Sequence, residues 1–313
     1  MSPLENCPIC RAGRIETSFE IPGLLVLRCA SCGHGLARQS PPSGPDVDYH
    51  AQYDSGAFLD ALRETRERQA AVVIEAVRRQ IPRPGHLLDF GAGRGWFLEA
   101  CRRDEIFPLA GVDTSDLAVS GLRGAGLEAL LLPGGGVGLG AALRNLSFRP
   151  RILTFLDVLE HVPPDEVAAA LRDILDACRG FELVVVKVPV RGLLHGLARF
   201  VSRFGVHGPI RQLYQVGTWP PHLSYFSGRS MQTLLEGAGL AVTERIGDPD
   251  FEPGTLAGRI GADGRLLAAA IHGAGAGVAS VIRATGRFDS AIFVARPAGV
   301  TGSPPGRPAR ESA

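Results

Sequence analysis

The run Gly91-Ala-Gly-Arg-Gly95 constrains this chain more than any other stretch. Three glycines at alternate positions suit neither a helix nor a strand interior, because glycine loses the most backbone freedom on ordering and packs no side chain. The flanks are different in kind. Leu87-Leu-Asp-Phe90 reads as a short buried strand, and Trp96-Phe-Leu-Glu-Ala100 restores apolar residues at helical spacing. The stretch is therefore a strand, a tight loop and a helix start. At such a junction backbone N–H groups can approach a ligand with no Cβ in the way.

The alternation continues on both sides. A helix is expected at 57–80, stopped by Pro82 and Pro84. Strands are expected at 86–90, 107–113, 128–133, 151–158 and 182–190, with helices at 95–104, 115–126 and 165–178 between them. This order predicts an α/β fold: a Rossmann-like, doubly wound, mostly parallel sheet with helices on both faces. Its ligands would sit at the carboxyl ends of the strands. An irregular lid insertion at 189–221, a helix and strand at 228–242 and a last strand at 290–297 complete a domain assigned to 57–298. Residues 39–56 read as a Pro/Gly/Ser linker and 299–313 as a disordered tail.

Four of the six cysteines fall in the first tenth of the chain. Cys7-x2-Cys10 and Cys29-x2-Cys32 lie 18 residues apart, the spacing of a four-cysteine zinc site. A thioredoxin-like redox pair needs one such pair beside a βαβ unit, not two. Residues 1–38 are therefore expected to form a zinc ribbon, held by a closed, structural tetrahedron of thiolates. Gly33 is expected to serve the turn after the second pair.

A net charge of +1 over 313 residues gives no bulk attraction for polyanions, so no nucleic-acid partner is expected. The first residues lack the basic and apolar regions of a signal peptide, and no apolar run reaches the ~18 residues of a spanning helix. A cytoplasmic location is expected. Between Leu183 and Leu235 there is no Asp or Glu, while Arg191, His195, Arg199 and Arg203 recur every four residues. That periodicity predicts one basic helical face. It is either the solvated face of a lid, or a contact through 191–204 for an anionic acceptor or a membrane surface.

The glycine loop also selects its cofactor. A dinucleotide fingerprint is G-x-G-x-x-G, but position 96 is Trp, and Asp89 before the loop would repel a diphosphate. S-adenosylmethionine, with an amino group, a sulfonium and no phosphate, fits better. Asp113 follows Asp89 by 24 residues at the end of the second strand, where a carboxylate can accept both ribose hydroxyls.

At these residues the chain resembles class I S-adenosylmethionine-dependent methyltransferases. "LLDFGAGRG" resembles their first motif and "GVDTSDLAV" their second-strand motif. "TFLDVLEHVP" and "PPHLSYFSGRSMQTLLEGAGL" resemble segments of the branch related to ubiquinone-biosynthesis O-methyltransferases. The resemblance implies cofactor binding by Asp89, Gly91, Gly93, Gly95, Asp113 and Asp157. It implies catalytic roles for Glu160, His161 and His222, and a divalent ion, Mg2+, at the acid-x-x-Glu-His positions. The implied acceptor is a small molecule, the hydroxyl or carbon of a sugar, glycan or natural-product intermediate. The family's acid after the third strand is missing from 131–143. Two other readings stand beside this one: an RNA methyltransferase whose ribbon grips RNA, and a catalytically degenerate adaptor.

Overall fold

The apolar residues of the central strands alternate between two cores, and this alternation builds the molecule. In the computed structural model, which describes residues 6–39, 56–132, 139–217, 220–248 and 265–299, the large sheet is formed by β4 (Leu87–Phe90), β5 (Leu109–Asp113), β6 (Glu128–Leu131), β7 (Ile152–Leu156), β8 (Leu183–Pro189), β10 (Leu240–Asp248) and β11 (Ser290–Pro297). Their order is β10-β11-β8-β7-β4-β5-β6. The five strands from β8 to β6 are parallel, and β11 and β10 are added antiparallel at one edge.

Leu88, Phe90, Val112, Phe155, Val184 and Val186 point to one core. There they meet Leu171 and Leu175 of α5 (Val167–Ala177) and Met231 and Leu235 of α8 (Gly228–Gly237). Leu87, Leu109, Ile152, Leu183 and Val185 point to the other. That core holds Val73 and Val77 of α1 (Gly56–Gln80), Leu98 of α2 (Trp96–Arg103) and Leu122 of α3 (Asp116–Gly124). Covered on both faces, the central strands are continuous apolar runs, as parallel sheets require. From β4 the chain winds one way to β5 and β6, then returns to place β7 on the other side. The switch point, where a crevice opens, lies between β4 and β7.

A second sheet has the order β1-β2-β3-β9, from β1 (Ile15–Ile21), β2 (Leu24–Cys29), β3 (Gly35–Gln39) and β9 (Ser224–Tyr225). Its last strand comes from far along the chain: Gly35 pairs with Tyr225 and Leu36 with Ser224. The cysteine segment is thus sewn onto the residues that follow the insertion.

That insertion is not irregular. It contains α6 (Leu193–Ser202) and α7 (Gly208–Leu213). Three of the four residues of its basic face are engaged by other segments, and Arg203 alone of the four is exposed. His195 is buried against Asp289, with Nδ1 2.9 Å from Oδ1, and Arg199 donates to the Ser18 carbonyl at 2.7 Å. Arg191 donates to the Gly33 carbonyl. Partners on two other segments turn these three inward, and Leu197, Phe200 and Phe204 are left 54%, 55% and 73% exposed. A further helix, α9 (Arg265–Thr285), was not expected from the sequence. Of the linker expected at 39–56, Gln39 ends β3 and Gly56 begins α1; the rest of it, and the expected tail apart from Gly299, lie outside the described residues. Among those described, no helix is long and apolar enough to cross a membrane.

Candidate active site

The crevice at the switch point is a cleft of about 1500 Å³. One half is built by the loop between β4 and α2. Gly91, Gly93 and Gly95 have φ of 69°, 53° and 78°, the left-handed region that other residues enter only with strain. Two of them are also wedged. A Cβ on Gly91 would meet Val158 at 2.5 Å, and one on Gly95 would meet Leu122 at 2.6 Å. The N–H groups of Gly91 and Ala92 bond to the Val112 carbonyl, pinning the loop to β5.

Asp113, at the end of β5, accepts from Gly93 N–H (2.8 Å) and Ser115 N–H (2.9 Å), one on each carboxylate oxygen. A carboxylate has about four acceptor positions, so Asp113 can take further donors from the cleft it lines. Asp89 is buried behind the loop and accepts from Thr154 Oγ1 at 2.6 Å. Burial pushes its pKa up to about 7; the Thr154 bond opposes this and the Asp113 charge adds to it. Asp89 therefore titrates near neutrality. The segment 133–138, where the family's third-strand acid is missing, lies outside the described residues.

The other half is built by the turn after β7. Asp157 has φ 58°, uncommon for a residue with a side chain. Its oxygens are 2.7 and 2.9 Å from Lys187 Nζ, and Arg66 of α1 contacts Oδ2 as well. Lys187 is 2% exposed, so the pair holds a buried cation at the end of β8. Both Asp157 oxygens, expected to serve the cofactor, already meet these two cations. Nothing in the local sequence links Arg66 to Asp157, although a lone lysine inside a valine-rich strand is a signal of a buried partner.

Glu160, His161 and His222 converge here, with ligand atoms all within 4.8 Å of one another. Glu160 is fully buried, and neither side-chain oxygen has a hydrogen-bond partner. Burial first, then the neighbouring Asp157 charge, raises its pKa well above the usual carboxylate range, which favours its protonated form. Its carbonyl accepts from Leu223 and Ser224 N–H at 2.8 and 3.1 Å, and this brings the 220–225 segment over the turn. His161 Nδ1 lies 3.0 Å from the Pro221 carbonyl. A carbonyl only accepts, so Nδ1 carries the proton and Nε2 keeps its lone pair. Burial lowers the His161 pKa, which keeps the ring neutral at pH 7. The His222 ring lies 4.8 Å from that of His161, and its Nδ1 is 3.3 Å from Tyr225 Oη.

With Asp157 engaged by Lys187 and Arg66, the donors near a would-be ion are one carboxyl and two imidazoles. Mg2+ demands a near-octahedral shell of oxygens. The set does not fit it.

The cysteines lie apart from this cleft. Cys7 and Cys32 Sγ are 3.6 Å apart, as are those of Cys10 and Cys29, and all four lie within 4.8 Å of one another. A tetrahedron with Zn–S bonds of about 2.3 Å has edges of about 3.8 Å, whereas a disulfide needs about 2.05 Å. The thiols differ. Burial raises Cys7 to about 11, whereas for Cys29 the Cys32 and Ser31 N–H groups outweigh burial and bring it to about 7. Gly33, at φ 75°, turns the chain after Cys32. Gly13, which sequence reasoning missed, lies closer still: its Cβ would sit 2.2 Å from Cys29 Sγ.

The profile of the family described as "Methyltransferase domain" matches residues 62–245. Solved structures of similar shape include a SAM-dependent methyltransferase from Archaeoglobus fulgidus (16% identity, 74% of this chain and 94% of that one, TM-score 0.43). Another is magnesium protoporphyrin IX methyltransferase from Synechocystis with bound SAH (12%, 82% and 90%, TM-score 0.45). A third is the cyclopropane synthase MmaA2 from Mycobacterium tuberculosis (14%, 73% and 84%, TM-score 0.47). No curated protein sequence matches the chain. The matched domain takes in the glycine loop, Asp89 and Asp113 beside it, and the Glu160–His161–His222 cluster, and by that match the chain belongs to the methyltransferase domain family.

Proposed function

We propose that the protein transfers the methyl group of S-adenosylmethionine to a hydroxyl, or an activated carbon, of a small molecule. The observation that carries this reading is the placement of an unprotonated imidazole nitrogen, His161 Nε2, in the same cleft as the glycine loop and Asp113. S-adenosylmethionine, when bound, supplies an electrophilic methyl and needs no redox or phosphoryl chemistry. The chain fits it in three ways. The loop presents backbone with no Cβ in the way, Asp113 retains acceptor capacity for the ribose hydroxyls, and Asp89 can place a negative charge near a cationic ligand. Arg66, at the edge of the same cleft, offers positive charge to a carboxylate.

The acceptor side needs proximity and a base. His161 takes the acceptor proton at Nε2 while Pro221 holds its ring through Nδ1. His222, oriented by Tyr225, lines the same space and is the second base in reach. Glu160, protonated, adds a donor rather than a charge. No step is assigned to Mg2+. We assign residues 1–38 to a structural zinc module on the strength of the sulfur spacing. The ubiquinone-related branch, a sugar, glycan or natural-product acceptor and a membrane contact through 191–204 remain parts of this reading.

Calorimetric titration with S-adenosylhomocysteine tests the cofactor half. Saturable binding is expected, and its absence at millimolar ligand overturns the assignment. Single-turnover transfer of labelled methyl to hydroxyl-bearing acceptors tests the other half.

A further inference from the structure

A second cavity, of about 490 Å³, lies between the cysteine segment, α6 and the loop before β11. Arg28, Arg191, Arg199, Arg245, Arg287 and His195 line it, and no carboxylate does. Among the described residues none of the five arginines has an acidic partner. Arg191 and Arg199 donate to the Gly33 and Ser18 carbonyls, and Arg245 stacks on Phe293 at 5.5 Å. Arg28 and Arg287 have no hydrogen-bond partner among the described residues. The acid nearest the group, Asp289, is spent on His195 Nδ1 and on the N–H groups of Gly192, Leu194 and His195. His195 Nε2 is buried without a partner.

Arg191 and Arg199 are half-buried in the cavity, while Arg28, Arg245 and Arg287 are exposed at its rim. Like charges converging on one hollow with no acid among its lining raise the local potential for an anion. The burial of Arg191, with Arg28 and Arg199 beside it, lowers its pKa, the direction expected of uncompensated charge. Arg245 lies over Gly228, where a Cβ would meet its Nη1 at 2.3 Å. Nearby thiolates could account for Arg191, next to the carbonyl of the residue after Cys32. They do not account for Arg245 and Arg287, which arrive from the far end of the chain.

We infer that this cavity binds a phosphoryl-bearing anion, held by arginine forks from the cysteine segment, α6 and the C-terminal strands. Guanidinium groups recognise phosphate through paired, charge-assisted hydrogen bonds. The volume exceeds that of a bare phosphate and falls in the ~300–1,000 Å³ range of small-molecule sites. The cavity shares no lining residue with the methyl-transfer cleft, but Tyr214 lines it and packs at 4.3 Å on Tyr225, which orients His222.

The full-length protein would be titrated with inorganic pyrophosphate by calorimetry, and mixed with phosphatidylcholine vesicles with and without phosphatidic acid. Saturable pyrophosphate binding is expected, weakened at least tenfold in Arg287→Gln and in Arg28→Gln. Neither variant breaks a hydrogen bond, and S-adenosylhomocysteine affinity should stay within twofold in both, so failure here is distinguishable from failure of the methyl-transfer reading. Binding only to phosphatidic acid vesicles, equally sensitive to these variants, would keep the phosphoryl site and name a lipid as its source. No saturable binding of either probe, or binding that both variants leave unchanged, overturns the inference.

Discussion

The two halves of the main cleft solve their polar bookkeeping differently. In the half built by the glycine loop the two carboxylates beside the loop have partners inside the protein: Asp113 has Gly93 and Ser115, and Asp89 has Thr154. In the acceptor half Glu160 is buried with neither oxygen bonded. A satisfied site is held in shape before its ligand arrives, which limits the ordering cost of binding. An unsatisfied buried group costs roughly 1–3 kcal/mol until something completes it. The difference teaches that, on the reading proposed above, the cofactor half is preformed and the acceptor half is left for a substrate to finish.

The sharpest way to separate the halves is His161→Ala. Turnover should fall about 10²–10⁴-fold, the usual worth of a general base, while cofactor affinity stays put. Single-turnover transfer and calorimetry on the same variant would show it, and a parallel loss of affinity would merge the halves. Asp113→Ala is the converse: it removes a charge-assisted contact of about 2–3 kcal/mol, so cofactor binding should weaken ~30–150-fold by calorimetry. Cys29→Ser reaches the acceptor half indirectly, through the pairing of β3 with β9. Turnover should drop by roughly tenfold, or about 1.4 kcal/mol, with cofactor affinity unchanged and less than one zinc per chain by metal analysis. The smallest effect concerns Asp89. Its pKa near 7 means that it gains charge as pH rises through neutrality, and a cationic ligand prefers the charged form. Cofactor affinity should rise about threefold from pH 6 to 8 in the wild type and stay flat in Asp89→Asn.

Much of this arrangement was legible in the chain because its signals are local. Strand and helix periods placed β4 to β8 and three of the helices between them, though not the short helix Leu139–Leu143, and Ser115 marked the start of α3, where its Oγ accepts from Ala118 N–H at 3.3 Å. Glu160, His161 and His222 were named from motifs alone. The rest depends on partners distant in sequence. The engagement of Arg191, His195 and Arg199 depends on Gly33, Asp289 and Ser18, none of them near it in the chain. The pairing of Asp157 with Arg66 is equally non-local. The hairpin of β1 and β2 did carry a local signal, Pro22-Gly23 with φ 80° at the glycine. The two residues of β9 carry none.

That two-residue strand has a consequence for how the chain is made. The edge that residues 35–39 must pair with, Ser224 and Tyr225, is translated some 190 residues after them. The cysteine segment therefore waits through that interval with one sheet edge open. Exposed edges recruit other chains, and a metal bound early would keep the hairpin closed while it waits. Metal starvation during translation would then show itself as aggregation of nascent chains, before any finished molecule lost activity.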